Sequence, residues 1–402
     1  MIRRILPPTV APIYLRDILN GLKGAVRGER EVDRFDGELR DYFGVRHCFT
    51  LSSGRAALTV ILRALHTLSP ERKTVIIPAY TCYSVAASVV RAGLSLRLCD
   101  VDARTLDFNY DELQNIIAHN SNEILAVIPV HLFGLPSDIE RLKNITSGHD
   151  IFIIEDAAQA FGGKDSSGNK LGTKGDVGFF SLGRGKPITT AGGGVVITDR
   201  DDVASGIENQ VKGVQSPSLL DLLQLNFQTL ALALFVRPKL YWFPKQLPFL
   251  KIGETIYDEK FEIRRLTPFQ AGLTKDWQHR IESLKEARRV RATRFLTLSR
   301  SDAFHGYVSE EDDLPDLLRF PLLSGQIDLE DDSEHSHALE ILGVVPYYPT
   351  SIQQIEELKD LFTGEQYPGA DWVAAHLLTL PIHLFVSEDD SNNIIKLMER
   401  QS

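Results

Sequence analysis

Cysteine is scarce in this 402-residue chain, which contains only Cys48, Cys82 and Cys99. The three residues are scattered and form neither a CxxC pair nor a cluster with histidine. An odd, scattered set of thiols provides no disulfide framework and no structural zinc site. We therefore expect a protein of a reducing compartment whose site contains no metal.

An excess of positive charge is also absent. The 44 lysines and arginines face 54 aspartates and glutamates, which leaves a net charge of −10. This balance argues against nucleic acid as a partner. A secretory leader is not recognisable either, because Pro7, Pro8 and Pro12 interrupt the N-terminal apolar run. We expect a cytoplasmic protein.

Short apolar runs alternate with segments of helical spacing between about residues 50 and 200. Runs such as 150–156 and 176–182 are rich in β-branched and aromatic residues, which is typical of buried strands. The alternation predicts an α/β fold with a mixed, mostly parallel sheet that is flanked by helices. Ligands of such sheets bind at the carboxyl ends of the strands, where Asp156 and Ser181 fall.

The chain is long enough for two or three domains. We predict a large domain over residues 1–262 and a smaller C-terminal α+β domain over residues 263–402. Residues 268–300 predict one long, polar-faced helix at the start of the smaller domain. A helical, apolar insertion is predicted at about residues 214–252.

One lysine, Lys186, stands among six glycines in GFFSLGRGKPITTAGGGVVITD, residues 178–199. Strand-like apolar runs enter and leave this stretch. An amine in such a loop is either a solvated surface charge or a group that is positioned for chemistry. The stretch alone does not decide between the two, and its sequence neighbours are needed.

Two further stretches supply complementary groups. In LSSGRAAL, residues 51–58, serines and a glycine precede a helix, which is typical of an ordinary N-cap and also of a phosphate site. In IIEDAAQAFGG, residues 153–163, a buried run ends at Asp156, whose carboxylate could cap a helix, ligate a metal or pair with a cationic ring nitrogen. Pyridoxal phosphate requires N–H donors for its phosphate, an acid for its ring nitrogen and an amine for its aldehyde. The three stretches together match these requirements.

These segments resemble the DegT/StrS family of pyridoxal-phosphate-dependent sugar aminotransferases, which has the aspartate-aminotransferase fold type. SSGRAAL is similar to the family's S-G-T-x-A-L segment, and PVHLFGLPSDIERL is similar to its H-L-Y-G-x-P-x-D segment. IIEDAAQAFGG, followed by GDVGFFSLGRGKPITTAGGGVVIT, resembles the E-D-A-A-Q-A-x-G and lysine-containing core. The resemblance implies a fold type I transferase with a large cofactor-binding domain and a smaller C-terminal α+β domain.

The resemblance also implies a role for each matching residue. Lys186 would hold pyridoxal phosphate as a Schiff base, Asp156 would pair with the pyridinium nitrogen, and Gln159 would lie near the phenolic oxygen. The phosphate would be held by four residues, Ser53, Gly54, Arg55 and Ser181. A dehydratase branch of the family carries histidine in place of the lysine, so Lys186 favours amino transfer.

The implied activity is transfer of an amino group from an amino-acid donor, glutamate, to a nucleotide-linked ketosugar in polysaccharide or glycoconjugate biosynthesis. Arg319 and His383 are candidates either for contact with the sugar or for a structural role. Tyr347 and Tyr348 lie in a region that, in this fold type, can face the active site. Two alternatives stay open: another pyridoxal-phosphate reaction, such as dehydration or decarboxylation, and a non-catalytic regulator that keeps the cofactor fold. A homodimer is expected, because this fold type builds its sites at subunit interfaces.

Three positions depart from the family pattern. Arg55 replaces the phosphate-binding threonine. Cys82 occupies the place of the aromatic residue that stacks on the cofactor ring, so that either Cys82 or Tyr83 packs there. Ile263 stands where an asparagine of the family reaches the phosphate of the partner subunit, and Arg264 is a candidate substitute.

A long apolar segment follows the candidate core. SLLDLLQLNFQTLALALFV, residues 218–236, predicts a helix with one apolar face, and the stretch up to residue 251 adds basic and aromatic residues. This pattern is typical of a helix that packs on its domain or at a dimer interface. It is also typical of peripheral membrane contact, here through residues 218–251.

Overall fold

The computed structural model describes residues 4–214, 217–247, 255–308, 310–325 and 333–400. Residues 215–216 and 248–252 of the predicted insertion therefore lie outside the described residues. The described residues contain two main sheets, one formed by the first part of the chain and one by the C-terminal part.

The first part of the chain supplies the larger sheet and a two-stranded ribbon. Its strands are β1 His47–Leu51, β2 Thr74–Pro78, β3 Ser95–Cys99, β4 Val101–Asp102, β5 Asp107–Phe108, β6 Ile124–Val127, β7 Phe152–Asp156, β8 Val177–Ser181 and β9 Gly194–Thr198. The larger sheet has the order β1-β9-β8-β7-β6-β2-β3, and β4 pairs with β5. β9 is antiparallel to both neighbours, whereas the pairs from β8 to β3 are parallel. The predicted mixed, mostly parallel sheet is confirmed.

Helices pack on both faces of this sheet. They include α1 Leu15–Arg27, α2 Glu29–Phe43, α3 Gly54–Leu68, α4 Tyr83–Ala92, α5 Tyr110–Asn120, α6 Ile139–Thr146 and α7 Asp201–Lys212. Val75 and Ile77 of β2 pack in one apolar cluster with α3 and α4, whereas Ile76 between them packs in another with α5 and α6. Side chains alternate along a strand, so each face of β2 is buried under its own helices.

The C-terminal part builds a smaller antiparallel sheet, as the prediction of an α+β region requires. Its elements are α10 Pro268–Leu273, α11 Trp277–Ser299, β10 Phe304–Gly306, β11 Phe320–Ser324, α12 Glu334–Ile341, β12 Val345–Pro346, α13 Pro368–His376, β13 Leu377–Leu380 and α14 Glu388–Glu399. The strand order is β10-β11-β13-β12. α11 and α14 cover this sheet through a shared apolar cluster.

The prediction of one helix over residues 268–300 is wrong. The structure has two helices there, α10 and α11, which are separated by a short turn. Asp276 in the turn has a φ of 59°, a left-handed conformation that ends a right-handed helix. α10 is closed at its start by a capping box between Thr267 and Gln270.

Two helices, α8 Leu219–Phe235 and α9 Pro238–Lys245, occupy the described part of the predicted insertion. Leu225 and Leu232 on the inner side of α8 pack against Phe269 of α10. The predicted apolar face points outward, and its exposed residues are Leu220, Leu223, Phe227, Leu230 and Leu234. No described helix has both the length and the apolar character needed to cross a membrane.

The segment before α1 crosses to the C-terminal part of the molecule. The backbone N–H of Leu6 donates to the carbonyl of Ile341 at 2.9 Å. The buried ring of His383 contacts the carbonyl of Pro7 through Nε2 at 2.7 Å. The first described residues are thereby tied to the region of the smaller sheet.

Candidate active site

The candidate residues gather at one edge of the larger sheet. β1 and β8 are both antiparallel to β9, so β1 runs in the same direction as β8 and β7. Their carboxyl ends therefore meet at the edge where β9 begins. A bridge between Ser53 and Gly193, together with the pairing of Ser181 with Gly194, closes this edge. Asp156 ends β7 beside them.

Ser53, Gly54 and Ser181 form a concave group at the start of α3. Ser53 is the N-cap, and its hydroxyl accepts a hydrogen bond from the backbone N–H of Ala56 at 3.1 Å. A Cβ atom on Gly54 would lie 2.9 Å from Cβ of Ser181, so only glycine allows this approach. The free N–H groups and the dipole of a helix start attract anions. This arrangement is suited to a phosphate.

Arg55 is engaged with a different segment. Its Nη1 donates to the carboxylate of Asp258 at 3.0 Å and to the carbonyl of the same residue at 3.1 Å. The guanidinium lies over the ring of Phe261 at 4.7 Å from its centroid. The structure therefore does not bring the Arg55 guanidinium into the group formed by Ser53, Gly54 and Ser181.

Asp156 is a buried carboxylate, 4% exposed. Its Oδ1 accepts a hydrogen bond from the backbone N–H of Ala158 at 2.9 Å. Burial raises its pKa, and this effect exceeds the opposing effects of Ala158, Lys186 and His131. Among the described residues Asp156 has no cationic partner within ion-pairing distance. A cationic group placed beside Asp156 would relieve this cost.

His131 and Glu155 form a buried pair next to Asp156, which sequence reasoning did not single out. Nε2 of His131 lies 2.9 Å from a carboxylate oxygen of Glu155, and Nδ1 accepts from the backbone N–H of Ser137 at 3.0 Å. Burial alone would raise the pKa of Glu155, but His131 and backbone N–H groups lower it below its usual value. His131, in the PVHLFG segment, is the sequence feature from which this pair could have been predicted.

Lys186 lies half-buried in the loop that connects β8 and β9. It makes no hydrogen bond and no ion pair with the residues that the structure describes, although its charge is near enough to lower the pKa of Asp156. The backbone of the loop is fixed, since Thr190 N–H donates to Leu182 O at 3.0 Å and Arg288 Nη2 donates to Pro187 O at 2.9 Å. The Lys186 amine therefore has no partner among the described residues, while hydrogen bonds fix the backbone of its loop.

Gln159 is fixed by two hydrogen bonds. Its Oε1 accepts from the backbone N–H of Phe133 at 3.3 Å, and its Nε2 donates to the hydroxyl of Tyr348 at 2.9 Å. Tyr348 comes from the C-terminal part and is 1% exposed. The expectation that this region faces the candidate site therefore agrees with a direct contact.

The remaining candidates have other surroundings. Arg319 is buried, donates to Thr379 Oγ1 at 3.2 Å and lies over the ring of Tyr347. Burial lowers the pKa of His383 to about 3, so its ring is neutral where it binds the N-terminal segment. Arg264 forms ion pairs with acids of its own chain, Asp221 and Glu262.

One surface cavity lies apart from these residues. It is lined by Lys143, His149, Lys174, Asp176 and Arg200, among others. Its cations are already paired, for example Arg200 with Asp176 at 2.8 Å. It contains none of the residues that gather around Asp156.

One solved structure that matches almost the whole chain is PseC of Helicobacter pylori, an aminotransferase involved in the biosynthesis of pseudoaminic acid. The two structures have a TM-score of 0.76 and 17% sequence identity, and the match covers 99% of each chain. At this identity the likeness shows a shared fold.

Two curated relatives match the first half of the sequence at higher identity. GDP-perosamine synthase of Vibrio cholerae is 30% identical over 188 residues, which are 47% of this chain and 49% of that protein. GDP-4-keto-6-deoxy-D-mannose 3-dehydratase of Yersinia pseudotuberculosis is 34% identical over 176 residues, which are 43% of this chain and 44% of that protein. The chain spans about half the length of the curated relatives it matches.

Residues 14–216 match the DegT/DnrJ/EryC1/StrS aminotransferase family. This segment is half of the chain, and it contains Ser53, Asp156, Ser181 and Lys186. The resemblance inferred from the motifs is confirmed: the chain belongs to the DegT/DnrJ/EryC1/StrS aminotransferase family.

Proposed function

We propose that the protein is a pyridoxal-phosphate-dependent aminotransferase. It moves an amino group from an amino-acid donor, glutamate, to a nucleotide-linked ketosugar in polysaccharide or glycoconjugate biosynthesis. The observation that carries this proposal is the meeting of a buried acid, Asp156, a free amine, Lys186, and an anion cradle at one edge of the sheet.

The described residues fit pyridoxal phosphate. Asp156 is a buried carboxylate without a cationic partner among the described residues, and the protonated ring nitrogen is a cation. Gly54 leaves room against Ser181 for a phosphate at the start of α3. Gln159 keeps one N–H of its amide free for the phenolic oxygen, because the other N–H binds Tyr348.

Asp156 and Lys186 have different roles in the proposed reaction. When bound, the cofactor supplies an electron sink for the charge that develops at Cα of the donor. Asp156 would hold the protonated ring nitrogen. Lys186 Nζ would take the proton from Cα of the donor as a general base and would then release it as a general acid. The backbone of the loop that carries this amine is fixed by hydrogen bonds of Thr190 and Arg288.

Support for the sugar substrate comes from the relatives. One matching protein is a GDP-perosamine synthase and another structure belongs to pseudoaminic acid biosynthesis. A third relative is a dehydratase, which keeps dehydration as an alternative. The resemblance implies a histidine at this position in the dehydratase branch of the family, so Lys186 favours amino transfer. The intact set of Asp156, Gln159 and Lys186 speaks against a non-catalytic regulator.

We also propose a homodimer that uses the α1/α8 face. We define this face by the exposed apolar residues of two helices: Leu15, Leu19, Leu22, Val26, Leu220, Leu223, Phe227, Leu230 and Leu234. Val26 is 90% exposed and Phe227 is 72% exposed. Large exposed apolar patches mark interaction sites. Asp221 on α8 pairs with Arg264, whose backbone N–H donates to Ser52 Oγ at 3.1 Å, so this face adjoins the candidate site.

The test begins with the purified protein loaded with pyridoxal phosphate. Borohydride reduction, digestion and mass spectrometry should place the label on a peptide that contains Lys186. Glutamate should bleach the visible band of the bound cofactor, and a screen of ketosugar nucleotides should identify the acceptor. A label on another peptide, or no label, overturns the proposal. Bleaching without transfer to any sugar favours the regulator or another reaction.

A further inference from the structure

Cys82 stands at the position where the family resemblance expects an aromatic ring. The residue is the N-cap of α4, and its Sγ accepts a hydrogen bond from Ser84 Oγ at 2.9 Å. Tyr83 is engaged elsewhere, because its hydroxyl bonds the side chain of Thr350 and accepts the backbone N–H of that residue at 3.2 Å. A ring beside Cys82 therefore has to come from another segment.

Tyr348 brings such a ring from the C-terminal part. Its side chain is 1% exposed and belongs to the apolar cluster against which Cys82 packs. Its ring centroid lies 6.2 Å from that of Tyr83, with 30° between the planes, and 5.8 Å from that of Tyr80. The Tyr348 ring thus occupies the neighbourhood of Cys82 and forms one aromatic group with the residues around the start of α4.

The hydroxyl of Tyr348 also sets the orientation of Gln159. The amide oxygen of Gln159 accepts from Phe133 N–H, so the amide nitrogen must point the other way. One of the two N–H bonds of that nitrogen goes to Tyr348 at 2.9 Å. The second N–H is left for an acceptor in the site. Without the tyrosine oxygen, the amide would lose the partner that fixes this direction.

The segment around Tyr348 is held firmly on both sides. Thr350 bonds Tyr83 of α4. On the other side the ring of Tyr347 lies under the guanidinium of buried Arg319, 4.1 Å from the ring centroid. Because both neighbours are anchored, the hydroxyl of Tyr348 is presented to Gln159 in a fixed position.

We propose that Tyr348 is a positioning residue of the cofactor site. It supplies the aromatic ring that position 82 lacks, and it holds Gln159 so that one N–H faces the phenolic oxygen of pyridoxal phosphate. This inference rests on the proposed function. It assigns to the C-terminal part of this chain a task that the family pattern gives to the segment after β2.

The first experiment is a pH titration of the visible spectrum of the cofactor-loaded, full-length Tyr348→Phe variant. A donor to the phenolic oxygen stabilises its negative charge and makes the nitrogen that joins Lys186 to the cofactor easier to deprotonate. Loss of the Tyr348 hydroxyl frees Gln159 to turn away. We expect the pKa of that nitrogen to rise by about one unit relative to the wild-type protein.

Two further variants separate positioning from a general structural effect. Gln159→Ala should raise the same pKa by a similar amount, and the double variant should add little to either single change. Tyr347→Phe is the matched control, because this neighbouring tyrosine carries no hydrogen bond to Gln159 and should leave the pKa unchanged. An unchanged pKa in Tyr348→Phe, or full additivity with Gln159→Ala, overturns the inference.

The ring is tested by exchange between the two positions. Tyr348→Ala should weaken the affinity for pyridoxal phosphate about tenfold, and adding Cys82→Tyr should restore most of it. Failure of the second change to restore affinity overturns the assignment of the ring. If wild-type protein binds no cofactor at all, the proposed function fails together with the inference. If the wild-type protein shows the visible cofactor band and the label on Lys186, but the Tyr348 variants change neither the pKa nor the affinity, the inference is wrong and the proposed function stands.

Discussion

Asp156 and Glu155 are adjacent acids with opposite electrostatic surroundings. Side chains alternate along β7, so the two carboxylates leave the strand on different sides. Glu155 is surrounded by donors, including His131, which lower its pKa against the effect of burial. Asp156 has one backbone donor at its carboxylate, and burial raises its pKa. At the scale of single residues, Asp156 is therefore the carboxylate that a cationic group would stabilise.

We expect Asp156→Asn to retain pyridoxal phosphate but to slow the half-reaction with glutamate at least about 100-fold. The amide has nearly the shape of the carboxylate, but it cannot keep the ring nitrogen protonated. Stopped-flow absorbance of the loaded protein measures the rate of bleaching. Asp111→Asn, on an exposed side chain of α5, is the control and should keep the wild-type rate. Equal rates in both variants would remove Asp156 from its assigned role.

Single residues also mark the limit of sequence reasoning. Asp156, Ser53 and Lys186 lie in short local motifs, and their grouping follows from strand direction, which the alternation of strands and helices predicts. The contact of Tyr348 with Gln159 joins positions 189 residues apart. The engagement of Arg55 with Asp258 is equally remote in sequence. Neither pairing leaves a local pattern, so neither could be predicted from the sequence.

At the scale of elements, the start of α3 depends on the absence of one methyl group. We expect Gly54→Ala to weaken the affinity for pyridoxal phosphate about tenfold, because the new Cβ would lie 2.9 Å from Cβ of Ser181 and push α3 away from β8. Absorbance titration of the apoprotein measures the affinity. Gly37→Ala in α2 is the matched control, since its Cβ meets nothing closer than 3.9 Å. A normal affinity for Gly54→Ala would contradict the phosphate assignment.

The packing of α2 on β1 contains a carboxyl group that is costly at high pH. Burial raises the pKa of Asp36 to about 7, against the opposing effects of Thr50 and Arg40. The unfolded chain releases this proton near pH 4, so the folded state binds more protons between about pH 4 and pH 7. Stability from this group is therefore present at low pH and is lost as the pH rises through about 7.

We expect Asp36→Asn to raise the free energy of unfolding by about 2 kcal/mol more at pH 8 than at pH 5. The neutral amide avoids the buried charge that the folded wild-type protein must carry at the higher pH. Urea unfolding at the two pH values measures the difference. Asp41→Asn, an exposed position on the same helix, should give the same small change at both. A larger gain at pH 5 than at pH 8 would reverse the assigned pKa shift.

The elements themselves differ in how well the sequence predicts them. β7 and β8 are short and bounded by turn residues, and they lie within the predicted runs 150–156 and 176–182. The break between α10 and α11 is invisible to periodicity, because it depends on the backbone conformation of Asp276 rather than on a proline or glycine. For α8 the sequence predicts an apolar face but not the surroundings of that face.

At the scale of the whole molecule, the α1/α8 face brings together nine exposed large apolar side chains of the described residues. We expect Phe227→Glu to convert a dimer into a monomer, because a carboxylate at the centre of an apolar contact would be desolvated without a partner. Light scattering after size-exclusion chromatography measures the mass. Leu361→Glu, an exposed apolar position outside this face, should keep the mass of the wild-type protein.

The same variants test the membrane as the alternative occupant. Sedimentation with vesicles of phosphatidylglycerol and phosphatidylcholine measures binding of the full-length protein. A wild-type monomer that sediments with vesicles, and a Phe227→Glu variant that does not, would replace the second copy by a lipid surface. A wild-type dimer that ignores vesicles and dissociates on Phe227→Glu supports the proposed homodimer.

We propose that the large domain ends at residue 262 and that the smaller C-terminal domain begins at residue 263. The division does not isolate the two halves of the site, because Gln159 on one side binds Tyr348 on the other. Movement of the smaller domain would therefore change the direction of the Gln159 amide.

The N-terminal segment is attached to the C-terminal part of the molecule at three points. Leu6 is bonded to Ile341, Pro7 to His383, and Arg4 is paired with Asp390 at 2.5 Å. Trimming the first eight residues would strip the acceptor from the neutral, buried ring of His383, nearly four hundred positions downstream. Purification handles and fusion partners are for this reason better attached after the last helix than ahead of Arg4.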